Sequence, residues 1–195
     1  QLLTFLSFEC SVIYLLTFIS CTEPVEEQVS GEPVDLLSYV NPFIATGGIG
    51  YSVGCAYPGV SLPFSMVKLS PDSATEYGGN AGYYRGGGYH YDDRTIEGFS
   101  HMHLHGIGLT DYGVLSVMPI NQMNEEKTTR RGYHSPFSHN DEHAEPGLYT
   151  VDLDIASVRL TATEHTGLHE YIFKGTEPAL VIDVGHQMGR GIVSE

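Results

Sequence analysis

LYTVDLDIASVRLTATEH, residues 148–165, is the stretch that decides the fold. Apolar side chains recur at every second position: Tyr149, Val151, Leu153 and Ile155, then Val158, Leu160 and Ala162 after a slip of one residue. Successive side chains of a strand point to opposite faces, so a period of two describes a strand with one buried face. The slip divides the stretch into a half-buried antiparallel pair.

The same reading extends outward in both directions. GLHEYIF (167–173) and PALVIDVG (178–185) follow at similar spacing. Upstream, GVLSVMPI (113–120) is a buried-strand candidate, and VSLPFSMVKLSP (60–71) is an apolar stretch closed by prolines. Many short strands with regular turn signals predict an all-β chain, an antiparallel β-sandwich. No stretch sustains a period of 3.6, so helices should be short. Composition agrees: 23 Gly and 13 Tyr favour strands and turns, and a hydrophobic content of 41% is enough for a packed core. The 195 residues leave room for one domain of ordinary size. A sandwich should continue past Glu195, because stopping just after a strand leaves an open sheet edge. The expected sandwich is therefore incomplete at its C-terminus.

The formal charge is -15 and the pI is near 4.9. Such a surface repels phosphate backbones, which argues against nucleic acid as a partner and is compatible with a neutral or cationic ligand. The opening QLLTFLSFECSVIYLLTFIS carries an apolar run, Ser11 to Ile19, of signal-peptide length and too short to span a bilayer alone. FISC (18–21) resembles a bacterial lipobox with Cys21 as the lipidated residue, although Phe18 stands where Leu is usual. Residues 1–21 are thus expected to be a lipoprotein-type signal on an exported, periplasmic or cell-surface protein held to the membrane by an N-terminal lipid. A retained anchor built from residues 2 to 19 is the alternative. Each buried methylene of a lipid contributes roughly 0.8 kcal/mol, and two or more chains hold a protein on a membrane stably. Residues 22–38 read as a solvated acidic tether, with Glu23, Glu26, Glu27, Glu32, Asp35, Pro24 and Pro33 and no aromatic residue before Tyr39. If Cys10 leaves with the signal and Cys21 is acylated, Cys55 has no partner for a disulfide.

GFSHMHLHGIGLTDYG (98–113) sets His101, His103 and His105 at alternate positions. On a strand all three would share a face, as a zinc or copper site could use. Without a matched fourth ligand, a polar face that bonds its neighbours or a ligand is the better reading. Ser100 stands beside His101, but adjacent strand residues point apart and no G-x-S-x-G elbow is present, so nucleophilic catalysis is not supported. GYYRGGGYHYDD (82–93) lacks the Lys-Ser/Thr ending of a phosphate loop. Its tyrosines suit the apolar face of a sugar, with His, Asp and Arg for the hydroxyls; a plain surface loop is the alternative. Asp92, Asp93, Glu97 and Asp111 lie in the same region, yet nothing in the sequence sets two of them at the roughly 5 to 10 Å that glycoside hydrolysis requires.

YVNPFIATGGIG, CAYPGVSLPFSMVKLSPDS, GYHYDDRTIEGFSHMHLHGIGLTDYGVLSVMP, HAEPGLYTVDLDIASVRLTATEHTGLHEYIF and LVIDVGH resemble, in order and spacing, the N-terminal domain of family 92 glycoside hydrolases, exo-acting α-mannosidases of Bacteroidota. The likeness runs from Tyr39 to Gly185, and the domain is taken as residues 39–195. It implies a sandwich of the supersandwich, galactose-mutarotase-like kind, followed in the family by a larger (α/α)6 barrel. It implies hydrolysis of α-mannosidic bonds with inversion, dependent on calcium. Acid, base and calcium belong to the barrel, so no catalytic residue and no metal are expected in this chain, which would contribute loops to a pocket for mannose-containing glycans. The family usually has Gly where Ala45 and Ser65 stand, and a small or hydroxylated residue where His105 stands. For substrate contact the most family-like segments offer His101, His103, Asp111, Tyr89 and Asp92. Competing expectations are a stand-alone carbohydrate-binding module and a gene remnant without function of its own.

Overall fold

The computed structural model describes residues 34–48, 56–74, 87–106 and 112–186. Within them ten strands follow in chain order: β1 (Val60–Ser61), β2 (Lys68–Ala74), β3 (Thr95–Ser100), β4 (Ser116–Asn121), β5 (Ser135–Pro136), β6 (Glu142–Glu145), β7 (Leu148–Asp152), β8 (Ala156–Ala162), β9 (Gly167–Phe173) and β10 (Pro178–Asp183). One sheet has the order β1-β2-β3-β4-β10, with β5 also paired to β3; the other is the meander β6-β7-β8-β9. Every pairing is antiparallel. The expected antiparallel β-sandwich is what the chain forms.

The slip read in residues 148–165 has a structural cause. β7 and β8 pair Tyr149 with Leu160 and Val151 with Val158. Residues directly opposite in an antiparallel pair share a face, so these four buried side chains line one side. The chain reverses between Leu153 and Ala156, where Leu153 N–H donates to the Ala156 carbonyl at 3.0 Å. That reversal is the slip.

Two predicted stretches are redrawn. GVLSVMPI enters β4 only at Ser116, because Gly113 (φ 101°) and Leu115 (φ 60°) hold left-handed backbone that a strand does not accommodate. VSLPFSMVKLSP divides into β1 and β2 around a turn at Leu62–Phe64, where Phe64 has φ 61°. Regular helix among the described residues is confined to single turns at Leu36–Tyr39, Glu126–Thr128, Arg130–Tyr133 and His139–Asp141.

The core joins both sheets. Leu69, Phe99, Met118 and Ile120 from the first meet Tyr149, Val151, Val158 and Leu160 from the second in one cluster. Phe99 and Tyr171 of β9 lie with ring centres 6.3 Å apart. Each fully buried aliphatic or aromatic side chain stabilises the fold by about 1.5–3 kcal/mol relative to exposure. The strands at the two sheet edges are less complete: Leu168 and Ile172 on β9, and Leu180 and Ile182 on β10, present large apolar groups to solvent. Of the expected acidic tether, residues 34–38 are described and all are exposed; its remainder, Cys10, Cys21 and Cys55 lie outside the described residues. No described helix is long and apolar enough to cross a membrane.

Candidate functional site

Register builds a polar face on the first sheet. Ser70 stands opposite Ser100, and Asp72 opposite Gly98. Ser100 is also opposite Ser116, which is opposite Asp183. Directly opposed residues share a face, as do residues two apart on a strand, so these six positions lie together. Ser70, Asp72, Ser100 and Ser116 are all buried. Gly98 makes the row possible: a Cβ there would sit 2.0 Å from Ser116 Oγ. β2 and β3 slip register between Asp72 and Ser73, a β-bulge of the kind that re-aims side chains.

Asp72 is the centre of this face. Its Oδ1 accepts from His103 Nε2 at 2.8 Å and its Oδ2 from His186 Nε2 at 2.6 Å, 31 and 114 residues away in sequence. His103 Nδ1 donates to the Lys68 carbonyl at 2.7 Å. Both ring nitrogens of His103 thus face acceptors. Burial alone would raise the Asp72 carboxyl, but the charges and N–H groups of His103 and His186 outweigh it and hold it well below the usual carboxylate range. His103 and His186 are each 1% exposed. His186 Nδ1 and Ser116 Oγ are buried without a hydrogen-bond partner among the described residues.

Ser100, His103 and Asp72 bring the residue types of a hydrolytic triad together in the wrong order. A triad puts the carboxylate on one imidazole nitrogen and the hydroxyl on the other. Here Ser100 Oγ, at 3.4 Å, and Asp72 both face Nε2, while Nδ1 is held by a carbonyl. The nitrogen that would take the serine proton already carries one, and Ser100 is fully buried. This geometry organises a surface; it does not activate a nucleophile.

A second buried carboxylate ties the Gly- and Tyr-rich segment to the other sheet. Glu142 of β6 accepts from Tyr149 Oη at 2.6 Å, Tyr89 Oη at 2.9 Å and His139 Nδ1 at 2.7 Å. His139 Nε2 contacts the Tyr91 carbonyl, and the Tyr91 ring stacks on His139 at 4.0 Å and 5°. Burial, followed by the Glu142 charge, pushes both the Tyr89 and Tyr149 hydroxyls up, so they remain donors. Tyr89 is 0% exposed, a core residue of the described fold.

The five residues expected at a sugar site are therefore spread over separate environments. His103 sits on Asp72 and Tyr89 on Glu142. Asp92 extends its carboxylate into solvent, while its N–H donates to His90 Nδ1 at 3.1 Å. Asp111 lies outside the described residues. His101 turns to the second sheet, with Nδ1 donating to the Leu115 carbonyl at 2.9 Å and Nε2 3.1 Å from His169 Nε2. The three alternating histidines do not share a strand face, because β3 ends at Ser100; His105 instead stacks on Tyr57 at 4.2 Å. No three His, Cys, Asp or Glu residues among those described stand together as a metal site. Calcium needs six to eight oxygen ligands, and the buried carboxylates of Asp72, Asp93 and Glu142 each already accept from N–H or O–H donors.

Asp72, His186, Glu142 and His139 escape sequence reasoning. SPDS hints at Asp72, being a polar run inside an otherwise apolar strand, but nothing local links it to a histidine 114 residues on.

The family model for the glycosyl hydrolase family 92 N-terminal domain matches residues 39–195. The chain belongs to this family. Among solved structures, a family GH92 α-mannosidase from Bacteroides thetaiotaomicron is similar with a TM-score of 0.68 and 30% identity, over 80% of this chain and 21% of that one. The same enzyme has been solved in complex with mannoimidazole. A GH92 inverting mannosidase from Bacteroides thetaiotaomicron VPI-5482 matches with a TM-score of 0.60 and 28% identity, over 79% of this chain and 20% of that one. A protein of Arthroderma benhamiae described as an uncharacterized secreted glycosidase is 27% identical over 183 residues, 87% of this chain and 22% of its own length. The chain thus spans about a fifth of the length of these relatives.

Proposed function

We propose that this chain is the N-terminal part of an exported α-mannosidase that hydrolyses α-mannosidic bonds of glycans with inversion, in which the sandwich shapes one side of the substrate pocket. The observation that carries the reading is the family 92 match over residues 39–195 together with the GH92 mannosidase fold. General acid and base are assigned to a second, (α/α)6 domain. Two buried carboxylates support that assignment: Asp72 and Glu142 are held by two and three donors, leaving neither of these two free to protonate a leaving oxygen or activate water. Calcium, which would aid distortion of the sugar, is likewise assigned outside this chain. The outward Leu168 and Ile172 of β9 and Leu180 and Ile182 of β10 are large apolar groups exposed on outermost strands, which supports a further part of the protein covering them. Cys21 is the proposed lipid attachment point. In this reading His101, His103, Asp111, Tyr89 and Asp92 serve the pocket. His103 and Tyr89 do so from buried positions, by fixing the backbone that carries the exposed loop residues.

The test is to express the longer reading frame and assay it with aryl α-mannosides and calcium. Release of mannose first as the β anomer, the inverted product of an α-mannoside, supports the proposal. Cleavage of other glycosides only, or no downstream helical domain, overturns it. A stand-alone carbohydrate-binding module would instead bind mannose as the 195-residue chain alone.

A further inference from the structure

The geometry points to a two-imidazole clip for a divalent transition metal, formed by His101 and His169 across the seam between the two sheets. The ring nitrogens that face each other are the two Nε2 atoms, 3.1 Å apart, with ring centres 4.8 Å apart and planes tilted by 36°. Two nitrogens each about 2.05 Å from one ion and about 3.1 Å apart subtend about 98° at the metal, close to a cis angle. With each ring centre about 1.1 Å behind its nitrogen, such an ion places the centres about 4.8 Å apart. A head-on N–H···N bond of the same length would place them about 5.3 Å apart. The observed pair of distances matches rings converging on a third point.

The supports behind the rings are those of metal-binding histidines, whose second nitrogen donates to a fixed acceptor. His101 Nδ1 donates to the Leu115 carbonyl at 2.9 Å, which leaves Nε2 with its lone pair. His169 Nδ1 lies 2.7 Å from the Tyr171 hydroxyl, which can accept from it when Nε2 is ligated. Gly167 makes room: a Cβ there would come within 2.8 Å of His101 Cδ2 and 3.1 Å of Nε2. Imidazole nitrogen selects zinc, copper or nickel over calcium. With two protein ligands, the remaining positions belong to water. The site shares His101 with the proposed pocket, but its test reads zinc binding and not mannoside hydrolysis.

Zinc is titrated by calorimetry into the untagged 195-residue chain at pH 7, with histidine resonances followed by NMR. One zinc per chain, shifting His101 and His169 together, is expected. His101→Asn and His169→Asn should each weaken binding at least tenfold, while His143→Ala and His165→Ala, whose side chains are 63% and 71% exposed, should not. Circular dichroism checks that each variant folds; if His101→Asn does not, His169→Asn on the edge strand β9 decides. A wild-type chain that takes up no zinc, uptake unchanged in His169→Asn, or shifts confined to other histidines overturns the inference.

Discussion

Replacing Asp72 by asparagine tests whether the polar face of the first sheet is held by a buried charge. Asparagine keeps the size of the side chain, so no cavity forms and the loss reports the charge. In the wild type the carboxylate is 2% exposed and accepts two short bonds, 2.8 Å from His103 and 2.6 Å from His186. Removing one member of a buried pair leaves the other without compensation and costs about 3–5 kcal/mol. For a domain of this size each kcal/mol lowers the melting temperature by about 2–4 °C, so Asp72→Asn should melt roughly 6–20 °C lower. Glu170→Gln is the matched control. Its ion pair with Arg159 has a similar 3.0 Å separation, but the two side chains are 51% and 56% exposed. Exposed pairs contribute less than about 1 kcal/mol. Differential scanning calorimetry of both variants at pH 7 makes the comparison. The folded pKa of Asp72 is depressed, so its stabilisation is present above the unfolded value near 3.9 and is lost as pH falls below it. The gap between wild type and variant should therefore close in strong acid. A loss for Asp72→Asn as small as that for Glu170→Gln would refute the reasoning.

Three further outcomes follow from other sites. His169 falls from 6.5 to about 4, so the unfolded chain binds the extra proton between those values. Stability should drop by at most about 3 kcal/mol as pH is lowered from 6.5 to 4, and His169→Gln should flatten that slope in urea titrations. Ala45 has φ 65°, where an L side chain is strained by about 1–2 kcal/mol. Ala45→Gly should raise the melting temperature by a few degrees, the reverse of glycine's usual effect. Gly98→Ala drives a methyl to 2.0 Å from Ser116 Oγ and should cost about 1–3 kcal/mol by denaturant melts. Adding Ser116→Ala, which leaves the nearest contact at 3.4 Å, should recover most of it.

Alternation carried the architecture because one face of each strand is buried: Tyr149 and Val151 could be assigned to the core before their partners Leu160 and Val158 were known to face them. Strand limits at Ser116 and around Phe64 followed from left-handed backbone at Leu115 and Phe64, residue types that give no warning of it. At Ala45 the sequence did carry a signal, since the family usually has Gly where φ is 65°. The polar centres were hidden for a different reason. His101, His103 and His105 look like one set, yet the end of β3 sends them to His169, Asp72 and Tyr57. Asp72 meets His186 only through the register of β2, β3, β4 and β10, which no local pattern encodes.

The central claim, which rests on the proposed function, is that the described residues hold no working acid and base pair. The most direct measurement is hydrolysis of an aryl α-mannoside, with calcium, by the purified 195-residue chain after circular dichroism has shown its strands to be formed. The account predicts no turnover above buffer. Turnover that copurifies with the folded chain, and that disappears in Asp72→Asn or Glu142→Gln, would contradict it.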